Sequence, residues 1–292
     1  MKLLTKFSLL FILAAGAGLG VAAYVSYNFL QANAREEVIR QARLMMETSR
    51  ASRNYTTLQI KPLLEPVQAK DKVFLPQTVP AFAATESFAY LRKTYPDYSY
   101  KEATLNPTNL RDRAVDWEAD IVNSFRNNTA QKELSGNRDA ATGPSLYLAM
   151  PIVADKPCLE CHWTPKEAPP AMIKRYGTAN GFGWKEGEII GAQIVSVPMS
   201  VPIAMANHTF QTILLYMAGT FVITLLVLNL AMAFSVARPV ARLSNMADEI
   251  SKGNLEISEL PASGKDEIST LAASFNRMRL SLVKALKMLE EQ

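Results

Sequence analysis

The chain has 292 residues, with 31 basic against 27 acidic side chains, a net charge of +4, two cysteines and two histidines. So small a positive balance, with no basic stripe interleaved with aromatics, excludes a nucleic-acid-binding protein. The length allows one large domain or two smaller ones.

An uncharged apolar stretch at 7–30 opens the chain, and a second lies at 211–236. Each is long enough to cross a bilayer core of about 30 Å as a helix. Lys2 and Lys6 precede the first span, and Arg238 and Arg242 follow the second. Both termini are therefore expected in the cytoplasm, although Arg35, Arg40 and Arg43 weaken the bias. Ala15-Gly16-Ala17 offers a cleavage site, but the apolar run continues well past it, so a retained anchor is expected. Gly16-x-x-x-Gly20 would let two such helices approach closely and supports a dimer. The chain then reads as a two-pass protein of the bacterial inner membrane, with 31–210 in the periplasm and 237–290 inside.

Residues 32–58 are expected to continue the first span as a helix, with Val38, Ala42, Met45 and Ser49 on one stripe and Ile39 and Met46 beside it. Pro62, Pro66, Pro76 and Pro80 predict an irregular segment. Ala114, Trp117, Ile121 and Phe125 predict a helix over 112–127. From 143 the period shortens to two: Leu146, Leu148, Met150 and Ile152 predict a strand, and Ile189–Val201 another. Prolines 157, 165, 169 and 170 predict a loop between them. A helix followed by mixed strands gives an α+β domain.

That loop holds Cys158-Leu159-Glu160-Cys161-His162, which uses both cysteines and one of the two histidines. In a C-x-x-C-H run two thiols add to the vinyl groups of a haem and the neighbouring imidazole binds the iron. One covalent haem c is expected, with Cys158 and Cys161 as thioether residues and His162 as proximal ligand. With both cysteines so used, no structural disulfide is available. A zinc site would need more ligands than His208 supplies, and a thioredoxin-like pair would need a βαβ surround. For the sixth iron position the candidates are Met45 and Met46, on the helix continuous with the first span; the alternative for both is core packing. Met150 is a weaker candidate, an open position would favour gas binding, and His208 is expected at the membrane surface.

In the tail, Val240, Leu243, Ala247 and Ile250 form one helical stripe. Ile268, Leu271, Phe275, Met278, Leu282, Ala285 and Leu289 form a heptad seam. Two short amphipathic helices need a partner chain to bury these stripes. Pro239 after the membrane exit, Gly253-Asn254-Leu255, Asp266-Glu267-Ile268 and Phe275-Asn276-x-Met278 resemble a HAMP domain. That resemblance implies a parallel four-helix coiled coil in a homodimer, relaying movement of the second span.

The external block, over most of 35–205, resembles a family of bacterial c-type haem sensor domains with a PAS-like fold. The matching residues are Leu105-Asn106-Pro107-Thr108-Asn109, Trp117-Glu118, Pro157 to His162, Tyr176-Gly177 and Gly181-Phe182-Gly183-Trp184-Lys185-Glu186-Gly187. The resemblance implies a haem pocket between a PAS-like sheet and the long N-terminal helix. A distal cysteine ligand, known in that family, has no counterpart here. The combination predicts a sensor of redox state or of a small diatomic gas, and not an enzyme. No kinase, cyclase or methyl-accepting domain follows the seam, so either the signal is expected to pass to a separate cytoplasmic protein through the Leu282–Leu289 coiled coil, or the protein is a reduced remnant. The alternative is a membrane-anchored cytochrome passing electrons to a redox partner, for which a HAMP tail has no use.

Overall fold

The computed structural model describes residues 3–140 and 143–290, the side chains of Leu3, Leu289 and Glu290 excepted. Lys2 and the Leu289 side chain, used above for topology and for the seam, lie outside what it describes. The chain divides into two compact units, Asn28–His208 and the pair of segments Met1–Tyr27 and Thr209–Gln292.

In the first unit a four-stranded antiparallel sheet is ordered β1-β4-β3-β2, with β1 Ser99–Thr104, β2 Leu134–Ala140, β3 Gly143–Val153 and β4 Ile189–Pro198. β4 is central and buried along its whole length. The period-two residues of β3 do what their spacing requires: Leu146 and Leu148 face one layer, Tyr147 and Ala149 the other. On the first face lie Val38, Ala42 and Met46 of helix α1 (Leu3–Tyr55), together with Ala84 and Phe88 of a later helix, against Tyr100, Val195 and Val197. The opposite face is covered by Ile121, Val122 and Phe125 of an amphipathic helix that packs on Ala103, Ala192 and Ile194. The two faces make the α+β layout expected from the sequence.

Between α1 and the sheet the structure departs from the irregular segment expected there. A π-turn, Thr56–Ile60, leads into α2 (Lys61–Asp71), and α3 runs Pro80–Arg92. Pro62 and Pro80 sit in the first turns of these helices, where a missing N–H is no loss. Pro62 and Pro80 are thus helix starts rather than breaks, while Pro76 opens a single 3-10 turn and Pro66 lies inside α2. The same arrangement recurs in the second unit, where the π-turn Ala233–Ala237 is followed by Arg238 and Pro239. A proline ring crowds the carbonyl four residues back, and a widened turn there relieves the contact.

The helix read as 112–127 is α4, Asp116–Asn127. Its first turn is closed by Glu118, which accepts from the Val115 N–H at 3.0 Å and from Lys101 Nζ at 2.6 Å. Just before α4, burial pushes the Asp112 carboxyl up to about 6; Glu102 adds to the rise and Arg111 and Lys101 oppose it. A carboxyl raised in the folded state stabilises least once the unfolded chain has ionised. Stability is therefore expected to fall as pH rises from about 4 to about 6, by on the order of 2 kcal/mol. Asp112→Asn should flatten that segment of a urea-melt pH profile.

In the second unit, α7 (Ser200–Met232) carries the second apolar stretch, and the N-terminal part of α1 carries the first. Both are long and apolar enough to cross a membrane. They meet through Phe11 and Phe221, stacked 6.0 Å apart, and through Ser8, which donates to Asn229 Oδ1. The tail forms α8 (Arg238–Ser251) and α9 (Glu267–Glu290), with Leu243, Met246 and Ala272 buried. Asn276 holds the intervening connector from both sides. It accepts from the Leu260 N–H at 3.1 Å and donates to the Leu260 carbonyl at 2.9 Å.

Candidate functional site

The C-x-x-C-H run lies on a short helix, α5 (Lys156–His162), and not in the loop its prolines suggested. Asp155 caps it, accepting from the Cys158 N–H at 3.2 Å, and Pro157 occupies its first turn. On a helix, residues i, i+3 and i+4 share one face, so the spacing gathers Cys158, Cys161 and His162 within an arc of about 100°. Both cysteines are free and half-buried. Burial, helped by Asp155, pushes the Cys158 thiol up to about 11. Burial also raises Cys161, against the pull of Lys61. Neither thiol is activated as a redox pair would require.

His162 is held on three sides. Its Nδ1 lies 2.7 Å from the Gly181 carbonyl and 3.3 Å from Thr108 Oγ1. The Trp184 ring stacks on the imidazole at 3.9 Å and 14°. Two backbone bonds join the end of α5 to the same glycine-rich loop: Gly183 N–H to the Trp163 carbonyl, and Trp184 N–H to that of His162. A carbonyl can only accept, so Nδ1 carries the proton and Nε2 keeps its lone pair. Burial lowers the imidazole pKa and favours this neutral, ligating form.

Beside α5 stand the end of α1 and the start of α2. Lys61 Nζ reaches Glu160 at 3.4 Å. Leu58 and Leu63, on either side of Lys61, are exposed apolar side chains, as is Trp163. Two thiols and one imidazole on a single helical face are the donor set that a haem attached at a C-x-x-C-H run would use.

The methionines are placed elsewhere. Met46 is fully enclosed in the core with Val38, Ala42, Phe88 and Leu148, and Met45 packs at the edge of that cluster. Met150 Sδ lies 3.9 Å from Arg50 Nη1. Further along α1, Arg53 lies within reach of the motif, its charge acting on Cys158. Seven residues separate Arg53 from Met46, about 10 Å along the helix. Met46→Ala should therefore behave as a core truncation, costing about 2–4 kcal/mol in denaturant unfolding.

A buried polar group that sequence reading missed lies in the same region. Arg53 pairs with the buried carboxylate of Glu102, Tyr100 donates to Glu102 at 2.8 Å, and Gln193 donates to the Tyr100 oxygen at 3.1 Å. The sheet register sets Glu102 beside Gln193. Burial pulls the Arg53 pKa down, but Glu102 outweighs it and holds it above the ordinary value. The one sequence signal was Gln193, polar between Ala192 and Ile194 in a mostly apolar strand; Glu102, in the polar run Ser99–Thr104, gave none.

The Tll0287-like family matches residues 31–198. The chain belongs to the Tll0287-like family. Within the Tll0287-like domain lie the motif, both loops that enclose His162 and all four strands. The HAMP domain family matches residues 231–284. Among solved structures, the chain is similar to the cyanobacterial heme-protein Tll0287 at 13% identity and a TM-score of 0.43. The match covers 56% of this chain and 95% of that one. No curated protein matches significantly. A Tll0287-like domain, a HAMP domain and two candidate membrane helices together fit a two-pass membrane receptor.

Proposed function

We propose that the chain is a membrane-bound receptor whose external domain carries one covalent c-type haem and reports redox state or a small diatomic gas. Cys158 and Cys161 supply the thioethers, each thiol adding across a vinyl group, and His162 supplies the proximal nitrogen. The observation that carries this reading is His162 itself. Its Nδ1 proton is committed to the Gly181 carbonyl, which leaves Nε2 as the ligating nitrogen, and its position on α5 shares a helical face with both cysteines. When bound, the haem supplies an iron that changes oxidation state or takes up a ligand.

The protein's own residues would make that change matter to the rest of the chain. Lys61 and Glu160 tie α5 to the segment that follows the π-turn. Arg53 and Glu102 tie the end of α1 to the sheet. A displacement of α5 is thereby felt by α1, the helix that also contains the first apolar span. The sixth iron position is assigned to neither Met45 nor Met46, which we read as packing. In the tail, Leu271, Met278 and Leu282 of α9 are exposed in the single chain, and a second copy would cover them as the parallel bundle of a HAMP homodimer. Output would then pass from α9 to a separate cytoplasmic protein. Transmission requires that the two haem states favour different packings of that bundle.

Stopped-flow spectra of the full-length protein in detergent test the sensor reading against an electron carrier. Slow electron exchange accompanied by a change of ligation supports a sensor. Fast exchange with unchanged ligation would make the protein a membrane-anchored cytochrome.

A further inference from the structure

His162 does not hold its own orientation. The acceptor of its Nδ1 proton is a loop carbonyl, and that carbonyl is itself positioned by the loop after β1. The Gly181 N–H donates to Asn106 Oδ1 at 3.1 Å, and the Gly181 carbonyl faces His162 Nδ1 at 2.7 Å. One peptide unit on each side of Gly181 is thus tied, to Asn106 and to the imidazole. Gly181 has φ +84, a conformation L side chains rarely adopt, and a Cβ there would lie 2.0 Å from Thr108 Oγ1 and 2.9 Å from Thr108 Cα. The two loops interlock at this glycine with no room for a larger residue. Asn180, one residue earlier, accepts from Arg113 at 3.2 Å and fixes the loop from a second direction.

We propose that Asn106 is a positioning residue, which, through Gly181, determines which nitrogen of His162 is free to bind metal and how firmly the ring is held. The inference rests on His162 being the iron ligand. An imidazole ligand keeps its tautomer and orientation through the partner of its other nitrogen, and removing such partners weakens metal ligation by about 10- to 100-fold. Thr108 is the second contact to Nδ1 but also the wall against Gly181. Among the described residues Asn106 bonds to the Gly181 N–H and not to the imidazole or the cysteines, so it acts through the glycine.

The test uses the full-length haem-loaded protein and its Asn106→Leu and Asn106→Asp variants. Mass spectrometry first reads the haem adduct on Cys158 and Cys161, which Asn106 does not touch; wild type without the adduct would overturn the haem reading and this inference together. With the adduct present, two readouts follow. The first is the concentration of added imidazole that displaces half of the protein ligand, followed by absorption. The second is solvent exchange of the His162 Nδ1 proton, followed by NMR. Asn106→Leu, which fills the space without an acceptor, is expected to lower the half-displacement concentration and speed the exchange, each by 10- to 100-fold. Asn106→Asp, which keeps the acceptor, should stay within about threefold of wild type on both. Unchanged displacement and exchange in Asn106→Leu would overturn the inference while leaving the haem reading intact. If Asn106→Leu does not accumulate, Asn106→Ser, with a shorter and weaker acceptor, should give an intermediate shift in the same direction, and wild-type values there would overturn it equally.

Discussion

Serine at both Cys158 and Cys161 is expected to abolish the haem adduct, read as loss of the added mass and of the haem absorption after denaturation and extraction. Single Cys158→Ser and Cys161→Ser chains should each retain one thioether at much reduced yield. The fold should survive, because neither side chain belongs to either core cluster. Asp155 keeps its bond to the Cys158 N–H, which does not depend on the side chain, so α5 remains capped. His162 also remains fixed by Gly181 and Trp184. A double variant that still carried haem through denaturation would sink the proposal of covalent attachment. One that lost secondary structure would mean the cysteines hold the domain together in some other way.

Glu102→Ala is expected to be the most destabilising single change in the external domain. It leaves the Arg53 guanidinium, itself largely buried, without its counter-charge and removes the acceptor of the Tyr100 hydroxyl. Breaking one side of a buried pair costs about 3–5 kcal/mol, whereas replacing both members by apolar residues of similar size is often close to neutral. Urea unfolding of Glu102→Ala should show that loss, and the pair Glu102→Leu with Arg53→Met should recover most of it. The comparison separates the cost of an orphaned charge from the value of the ion pair. If the double replacement is as unstable as Glu102→Ala, the polar group specifies the packing of α1 on β1 in a way that apolar contacts do not restore. Met46 is a fair reference, since Met46→Ala removes buried apolar volume from the same face and creates no charge.

Much of the architecture was legible before the fold was known, for local reasons. Leu146, Leu148 and Met150 recur at period two because alternate side chains of β3 share the face that packs against α1, while Tyr147 and Ala149 fill the other face. Ala114, Trp117, Ile121 and Phe125 step at helical spacing, and all four pack toward one face of the sheet. The errors were local as well. Pro62, Pro80 and Pro157 were taken for breaks, yet each sits in the first turn of a helix. Proline ends one helix and starts another by the same missing N–H, and only the residues that follow tell which. β1 and β2 carry no apolar alternation because Ser99–Thr104 and Leu134–Ala140 are short and mostly polar in composition, although most of β1 is buried through polar side chains that pair within the fold.

For the site, the sequence by itself determined the candidate donors: a C-x-x-C-H run that uses both cysteines, between two apolar stretches and ahead of a HAMP domain. Composition and spacing suffice there because helical geometry puts residues three and four apart on one face. Tertiary structure alone decided how His162 is presented. Asn106 and Gly181 are 75 positions apart, and Arg53 and Glu102 are 49 apart. No local pattern can encode a partner at that distance, since what brings the groups together is the packing of β1 against β4 and of α1 upon both. The same packing took Met46, offered by the sequence as an iron ligand, and closed it into the core. Thioether flexibility suits a methionine to either role, and enclosure among apolar side chains is what supports packing for Met46.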